Sequence, residues 1–177
     1  TGKGQYIELS QTESIMRMMS WVWPYQQITG KTAMPAGNRD LSVSPADTFR
    51  CANDQFVAIA AGLPQDFIGL CKAMGRPELA EDPRFKDHLI RLRDENTLEI
   101  LKIIAEWVKN KTPEEVEHLA EEFGFAATPI RSVKDIVDDP HCRERGFMAH
   151  VDDPMIGPFY EYEFPVMMSK TPPKVRW

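Results

Sequence analysis

Four groups of side chains in this sequence are of types that could do chemistry. Glu114, Glu115, Glu117, Glu121 and Glu122 surround His118, and carboxylates with an imidazole are what a metal site or an acid–base pair needs. Asp138 and Asp139 stand just before Pro140 and His141, which could couple a carboxylate to a histidine. Thr1-Gly2-Lys3-Gly4-Gln5 is rich in glycine around a lysine, as loops that hold phosphate are. Cys51, Cys71 and Cys142 could form disulfides or bind zinc.

Spacing argues against each use. The glutamates lie on a helical segment opened by Thr112-Pro113 and read as its solvated face, with charge favouring the helix N-terminus. His118 has no second ligand at a metal-binding spacing, and His88, His141 and His150 are scattered, so no metal site is expected. Asp139-Pro140 reads as a turn that starts a helix. The opening glycines lack the G-x-x-x-x-G-K-[ST] pattern and precede a predicted strand, whereas a nucleotide loop follows one. The cysteines are odd in number and without C-x-x-C spacing, so buried thiols are expected, with neither a disulfide framework nor a zinc site.

The elements that would position any site follow from periodicity. Tyr6, Ile7 and Leu9 predict a short strand, and Ser10 with Glu13 caps a helix whose apolar face is Ile15, Met16, Met18, Met19 and Val22. Residues 24–47 hold Pro24, Gly30, Pro35, Gly37, Asn38 and Pro45 with little periodicity and read as a linker. Phe49 and Cys51, a turn at Asn53-Asp54, then Phe56, Val57 and Ile59 predict a hairpin. Pro64 opens the helix carrying Phe67, Ile68, Leu70, Cys71 and Met74, and Gly75 with Pro77 ends it. A broad apolar stripe of Leu98, Ile100, Leu101, Ile103, Ile104, Trp107 and Val108 predicts a buried helix. The helix opened by Thr112 turns Val116, Leu119, Ala120 and Phe123 inward and ends at Gly124. Ala127-Thr128-Pro129-Ile130 suggests an edge strand, because proline cannot donate to a ladder. Ser132 with Asp135 caps a short helix, and strands over Met148–Val151 and Tyr160–Val166 flank a Pro/Gly loop at 154–158.

A chain of 177 residues, 42% hydrophobic, is long enough for one sizeable core or for one small domain with a piece of another attached, and the second is expected. Its net charge of -6 and pI near 5.3, with no Lys/Arg cluster among aromatics, give no footprint for nucleic acid. No apolar run is long enough to span a bilayer and no signal peptide is evident, which points to a cytoplasmic protein.

The order of several short elements resembles the class III CoA-transferases, the family of formyl-CoA, carnitine-CoA and bile-acid CoA-transferases. They are TGKGQYIELS at the start, Asp82-Pro83-Arg84-Phe85, Ala127-Thr128-Pro129-Ile130, Asp139-Pro140-His141 with Arg145-Gly146, and Ser169-Lys170-Thr171-Pro172. The hairpin turn departs from the family's usual Asp-Gly by having Asn53-Asp54. The resemblance implies an α/β protein: residues 1–23 as the last strand and helix of a Rossmann-like large CoA-binding domain, 24–47 as a linker, 48–150 as an α+β small domain of helices with a short antiparallel sheet, and 151–177 as a return segment.

It further implies a piece of a longer protein, inactive alone. An aspartate upstream of Thr1 would attack an acyl-CoA thioester and carry CoA to a carboxylate acceptor through an aspartyl-CoA thioester. Coenzyme A would then be a substrate, with no permanently bound cofactor, and the full-length enzyme an interlocked homodimer. No catalytic residue falls within this chain. Pocket-wall candidates are Gln11, just after the opening strand, and Gly37, Asn38 and Arg39 of a loop that could fold over the site. There Arg39 could meet a carboxylate or phosphate and Asn38 could donate a hydrogen bond. Two alternatives stay open: a racemase of 2-methylacyl-CoA esters on the same scaffold, or a non-catalytic module whose tryptophan-rich helix docks on a partner.

Overall fold

In a computed structural model that describes residues 2–172, the chain forms two units, one ending at Leu41 and one beginning at Ser42. Thr1 of the opening turn, and the end of the 169–177 segment, lie outside the described residues.

The first unit holds α1 (Gln11–Met18) and α2 (Val22–Thr29). Ser10 caps α1 as expected, its hydroxyl accepting from the Glu13 amide at 3.5 Å. Gly30, left-handed at φ 69°, closes α2 inside the stretch that had read as linker. The expected strand at Tyr6, Ile7 and Leu9 is not formed: the segment has no ladder, and these side chains are 88%, 76% and 83% exposed. Apolar alternation favours an extended backbone, but a strand exists only when another strand pairs with it, and no described segment does. Met18, Trp21 and Trp23 are exposed on this unit.

The second unit is built on β1 (Ala46–Arg50), β2 (Phe56–Ala60) and β3 (Ala126–Pro129), antiparallel in that order, with Phe49 opposite Val57 and Val57 opposite Pro129. The β1–β2 turn works without the glycine because Asn53 and Asp54 both adopt left-handed backbone, φ 57° and 59°, and short polar side chains tolerate it best. Cys51 stands just outside the strand, its amide closing the turn on the Gln55 carbonyl at 2.8 Å. Pro129 sits on the outermost strand, where its missing N–H costs no ladder bond.

The helices that cover this sheet are α3 (Pro64–Ala73), α4 (His88–Arg91), α5 (Asp94–Val108) and α6 (Pro113–Phe123). Val57 and Ile59 from β2 meet Phe67 and Leu70 from α3, Ile100, Ile104 and Val108 from α5, and Val116 from α6 in one core. Each fully buried side chain of this kind contributes about 1.5–3 kcal/mol. Leu98 and Ile68, counted above with the apolar stripes, face out at 49% and 43% exposure, while Asn96 and Thr97 go in. Thr112 and Glu115 form the reciprocal cap of α6, and Gly124 ends it at φ 76°.

Helix α3 lies so close to the end of α6 that a Cβ on Gly69 would stand 2.3 Å from the Phe123 carbonyl oxygen. Gly69→Ala, which in an open helix would stabilise, is therefore expected to cost about 1–3 kcal/mol, read as a lower urea midpoint. The remaining elements are α7 (Val133–Asp138), α8 (Pro140–Glu144) and the hairpin β4 (Met148–Asp153) with β5 (Gly157–Tyr162). The second strand thus begins at Gly157 and stops at Tyr162, earlier than the expected 160–166, because the pairing of Val151 with Phe159 sets the register. Phe147 stacks on Tyr162, ring centroids 6.2 Å apart.

Candidate functional site

The four pocket-wall candidates all fall in the first unit. Gln11 is the first residue of α1 and is exposed, one position past its Ser10 cap. Gly37, Asn38 and Arg39 share one turn, in which the Arg39 amide donates to the Ala36 carbonyl at 3.4 Å. Gly37 has φ 67°, a conformation glycine adopts without the penalty a side chain would bring. Gly37 and Asn38 are exposed and Arg39 half-buried, so the turn presents an amide side chain beside a guanidinium, both able to donate to a carboxylate or phosphate. A shallow groove of about 370 Å³ on the same unit is lined by Glu13, Met16, Arg17, Ser20 and Trp23.

The groups that first suggested catalysis are in structural use. Asp139 caps α8, accepting from the His141 amide at 2.8 Å, and also meets Arg131 at 3.5 Å. Asp138 pairs with Lys134 at 2.8 Å and Asp135 completes the cap of α7 with Ser132. On α6, Glu115 belongs to the helix cap and Glu117 accepts from the Thr128 hydroxyl at 3.1 Å. Among the described residues no group of three or more His, Cys, Asp or Glu is arranged to hold an ion. Cys51 and Cys71 are buried and Cys142 half-buried. Burial pushes the Cys71 thiol up to about 12, so it is a neutral core group at neutral pH.

Asp82-Pro83-Arg84-Phe85 divides between surface and core. Arg84 clasps Asp82 at 2.7 Å and Glu99 at 2.6 Å, while Phe85 has no exposed surface. The Arg84 hydrogen bond holds the Asp82 carboxyl at about 2, below its ordinary 3.8. A depressed carboxyl contributes stability above its unfolded value and loses it as pH falls through its folded one. The melting-temperature gap between wild type and Asp82→Asn is thus expected to persist at about pH 5 and to close between about pH 4 and pH 2. The gap should be small, since an exposed pair is screened by water.

Periodicity gives no hint of Arg91, the largest fully buried side chain among the described residues. Its Nε, Nη1 and Nη2 donate to the carbonyls of Ser44, Phe85 and Gly62 at 2.6, 2.7 and 2.8 Å, and the guanidinium lies 4.0 Å over the Phe67 ring. An arginine in a polar helical segment reads as surface, and no local pattern marks acceptors brought from distant segments.

The architecture, a small α+β unit entered from a separate helical piece, is that of the CaiB/BaiF proteins. The chain superposes on a solved CAIB/BAIF family protein from Brucella suis with a TM-score of 0.70 over 98% of this chain and 44% of that one, at 24% identity, a likeness of fold alone. The family model described as CoA-transferase family III matches residues 1–177, and the chain belongs to that family. It is 32% identical, over its whole length and 44% of the relative, to a succinyl-CoA–D-citramalate CoA-transferase of Chloroflexus aurantiacus. It is 30% identical over 99% of its length, and 40% of the relative, to the alpha subunit of a succinyl-CoA–L-malate CoA-transferase of Chloroflexus aurantiacus. The chain thus spans less than half the length of the relatives it matches.

Proposed function

We propose that the full-length protein containing this chain transfers CoA from an acyl-CoA, with succinyl-CoA the first donor to test, to a small dicarboxylate. The observation that carries this reading is the family match across every residue of the chain, supported by two relatives whose names share the succinyl-CoA donor. The chemistry would run on an aspartate outside this chain. Its carboxylate attacks the thioester carbonyl and expels CoA thiolate, giving a mixed anhydride. The thiolate then attacks the aspartyl carbonyl, releasing the donor acid and leaving an aspartyl-CoA thioester. The acceptor carboxylate attacks that thioester, and the returning thiolate cleaves the second anhydride to give the new acyl-CoA and the free aspartate.

In this reading residues 1–23 belong to the large domain, 24–47 connect, and 48–150 form the small domain. Gln11 and the Gly37-Asn38-Arg39 turn contribute to the pocket wall, with Arg39 meeting the carboxylate of the acceptor that does not react. The protein acts in the cytoplasm as a homodimer, and this chain alone is inactive.

The test is a CoA-exchange assay on the full-length protein with succinyl-CoA and either D-citramalate or L-malate. The reading predicts formation of the acceptor's CoA ester, and hydroxylamine inactivation that requires prior exposure to the acyl-CoA, with the modified peptide found by mass spectrometry. Absence of exchange with any dicarboxylate, or exchange without a hydroxylamine-sensitive enzyme intermediate, would overturn it. Gln11→Ala is expected to change kcat or the acceptor KM; unaltered values for both remove Gln11 from the pocket.

A further inference from the structure

The second unit takes hold of the incoming chain abruptly. Leu41 and Ser42 are exposed, whereas two residues later Ser44 and Pro45 are fully buried. Contacts from three separate segments close on this short stretch. Val43 rests on Gly62, where a Cβ would meet Val43 Cγ1 at 2.4 Å. The Ser44 carbonyl accepts from Arg91 at 2.6 Å, and the Pro45 carbonyl accepts from the Ala61 amide at 2.9 Å. The Thr97 hydroxyl lies 2.8 Å from the Arg91 carbonyl oxygen and 3.1 Å from the Ser44 hydroxyl. A carbonyl can only accept, so it takes the single Thr97 proton and the serine hydroxyl donates to Thr97.

Arginine is an expensive residue to bury, and an aliphatic side chain would fill the same volume without the desolvation cost. What a planar guanidinium adds is a fixed fork of donors. Here the fork gathers three carbonyls that lie 47, 29 and 6 residues away in sequence: the incoming chain, the β2–α3 junction and the end of Asp82-Pro83-Arg84-Phe85. Lysine carries its donors on one atom and cannot span three diverging acceptors in a plane.

We propose that Arg91, Gly62 and Thr97 form a clamp that makes the chain from Val43 onward rigid with the second unit, so that the connector yields only before Val43. This inference stands independently of the reaction the protein catalyses, because every residue in the clamp belongs to the second unit.

The test is hydrogen exchange on the full-length protein, read at the amides of Val43, Ser44, Ala46 and Ala61 and referred to intrinsic rates. Gly62→Ala leaves Arg91 in place but drives a methyl into Val43. Exchange at these amides is expected to rise at least tenfold, with Ile104 and Val108 of α5 unchanged. Adding Val43→Ala removes the colliding methyl and should restore protection. Arg91→Met, which also lowers the stability of the whole unit, should raise exchange at these amides by more than at Ile104 and Val108, a difference that Arg91→Lys does not remove; if the rise is equal throughout, the Gly62→Ala pair alone decides. Protection at Val43, Ser44, Ala46 and Ala61 that stays at the wild-type level in Gly62→Ala, a loss shared equally by α5, or no rescue by Val43→Ala would overturn the clamp.

Discussion

Replacing Arg91 with methionine is expected to lower the stability of the second unit by about 3–5 kcal/mol, the loss of three charge-assisted bonds to buried carbonyls less the desolvation cost that the arginine itself carries. Methionine approximates the length of the arginine stem, so the loss of packing is modest. The Ser44, Phe85 and Gly62 carbonyls, however, lose the donors that satisfied them. A buried acceptor without a partner costs about 1–3 kcal/mol, and partial entry of water offsets some of the total. Equilibrium urea unfolding measures it directly. A change under about 1 kcal/mol would mean that the three bonds exchange with solvent at little cost, contrary to their burial.

The second large effect separates the two halves of Asp82-Pro83-Arg84-Phe85. Phe85→Ala is expected to cost about 3–5 kcal/mol, because the ring is wholly enclosed in the core and its removal leaves a cavity. Arg84→Ala is expected to cost far less, although Arg84 makes two short ion pairs and lies 4.8 Å over the Phe85 ring. The pairs are nearly half exposed, so water takes over most of what they supply. Urea titrations of the two variants side by side check the contrast, and equal losses would make the motif an ion-pair device. The expected inequality places its structural weight on Phe85.

Glu115 and Asp135 serve in helix caps and Asp138 in a surface ion pair, while the buried Arg91 holds the entry of the chain into the second unit. The residues proposed to reach substrate, Gln11 and the Gly37-Asn38-Arg39 turn, precede the clamp.

What the amino-acid sequence determined by itself was mostly caps and turns whose cause lies within about four residues, although the Gly30 stop of α2 and the Asp87 cap of α4 passed unread. The cap of α6 by Thr112 and Glu115, that of α7 by Ser132 and Asp135, and the stop at Gly124 depend on bonds inside one turn, so residue type at fixed spacing specifies them. The β1–β2 hairpin and the edge position of Pro129 were legible for the same reason. The order of short motifs disclosed the family, but Gln11, Gly37, Asn38 and Arg39 came from that resemblance, since an exposed amide and a turn arginine carry no periodic signature. Only the tertiary structure decided the rest. Tyr6–Leu9 alternates as a strand does, yet pairing requires a neighbour, and none is present among the described residues. Gly69 looks like a defect in a helix until the Phe123 carbonyl is found against it. Arg91 reads as one more surface charge until the fold brings Ser44 and Gly62 to it, because a donor's partners across 47 and 29 residues are set by packing and leave no mark in local sequence.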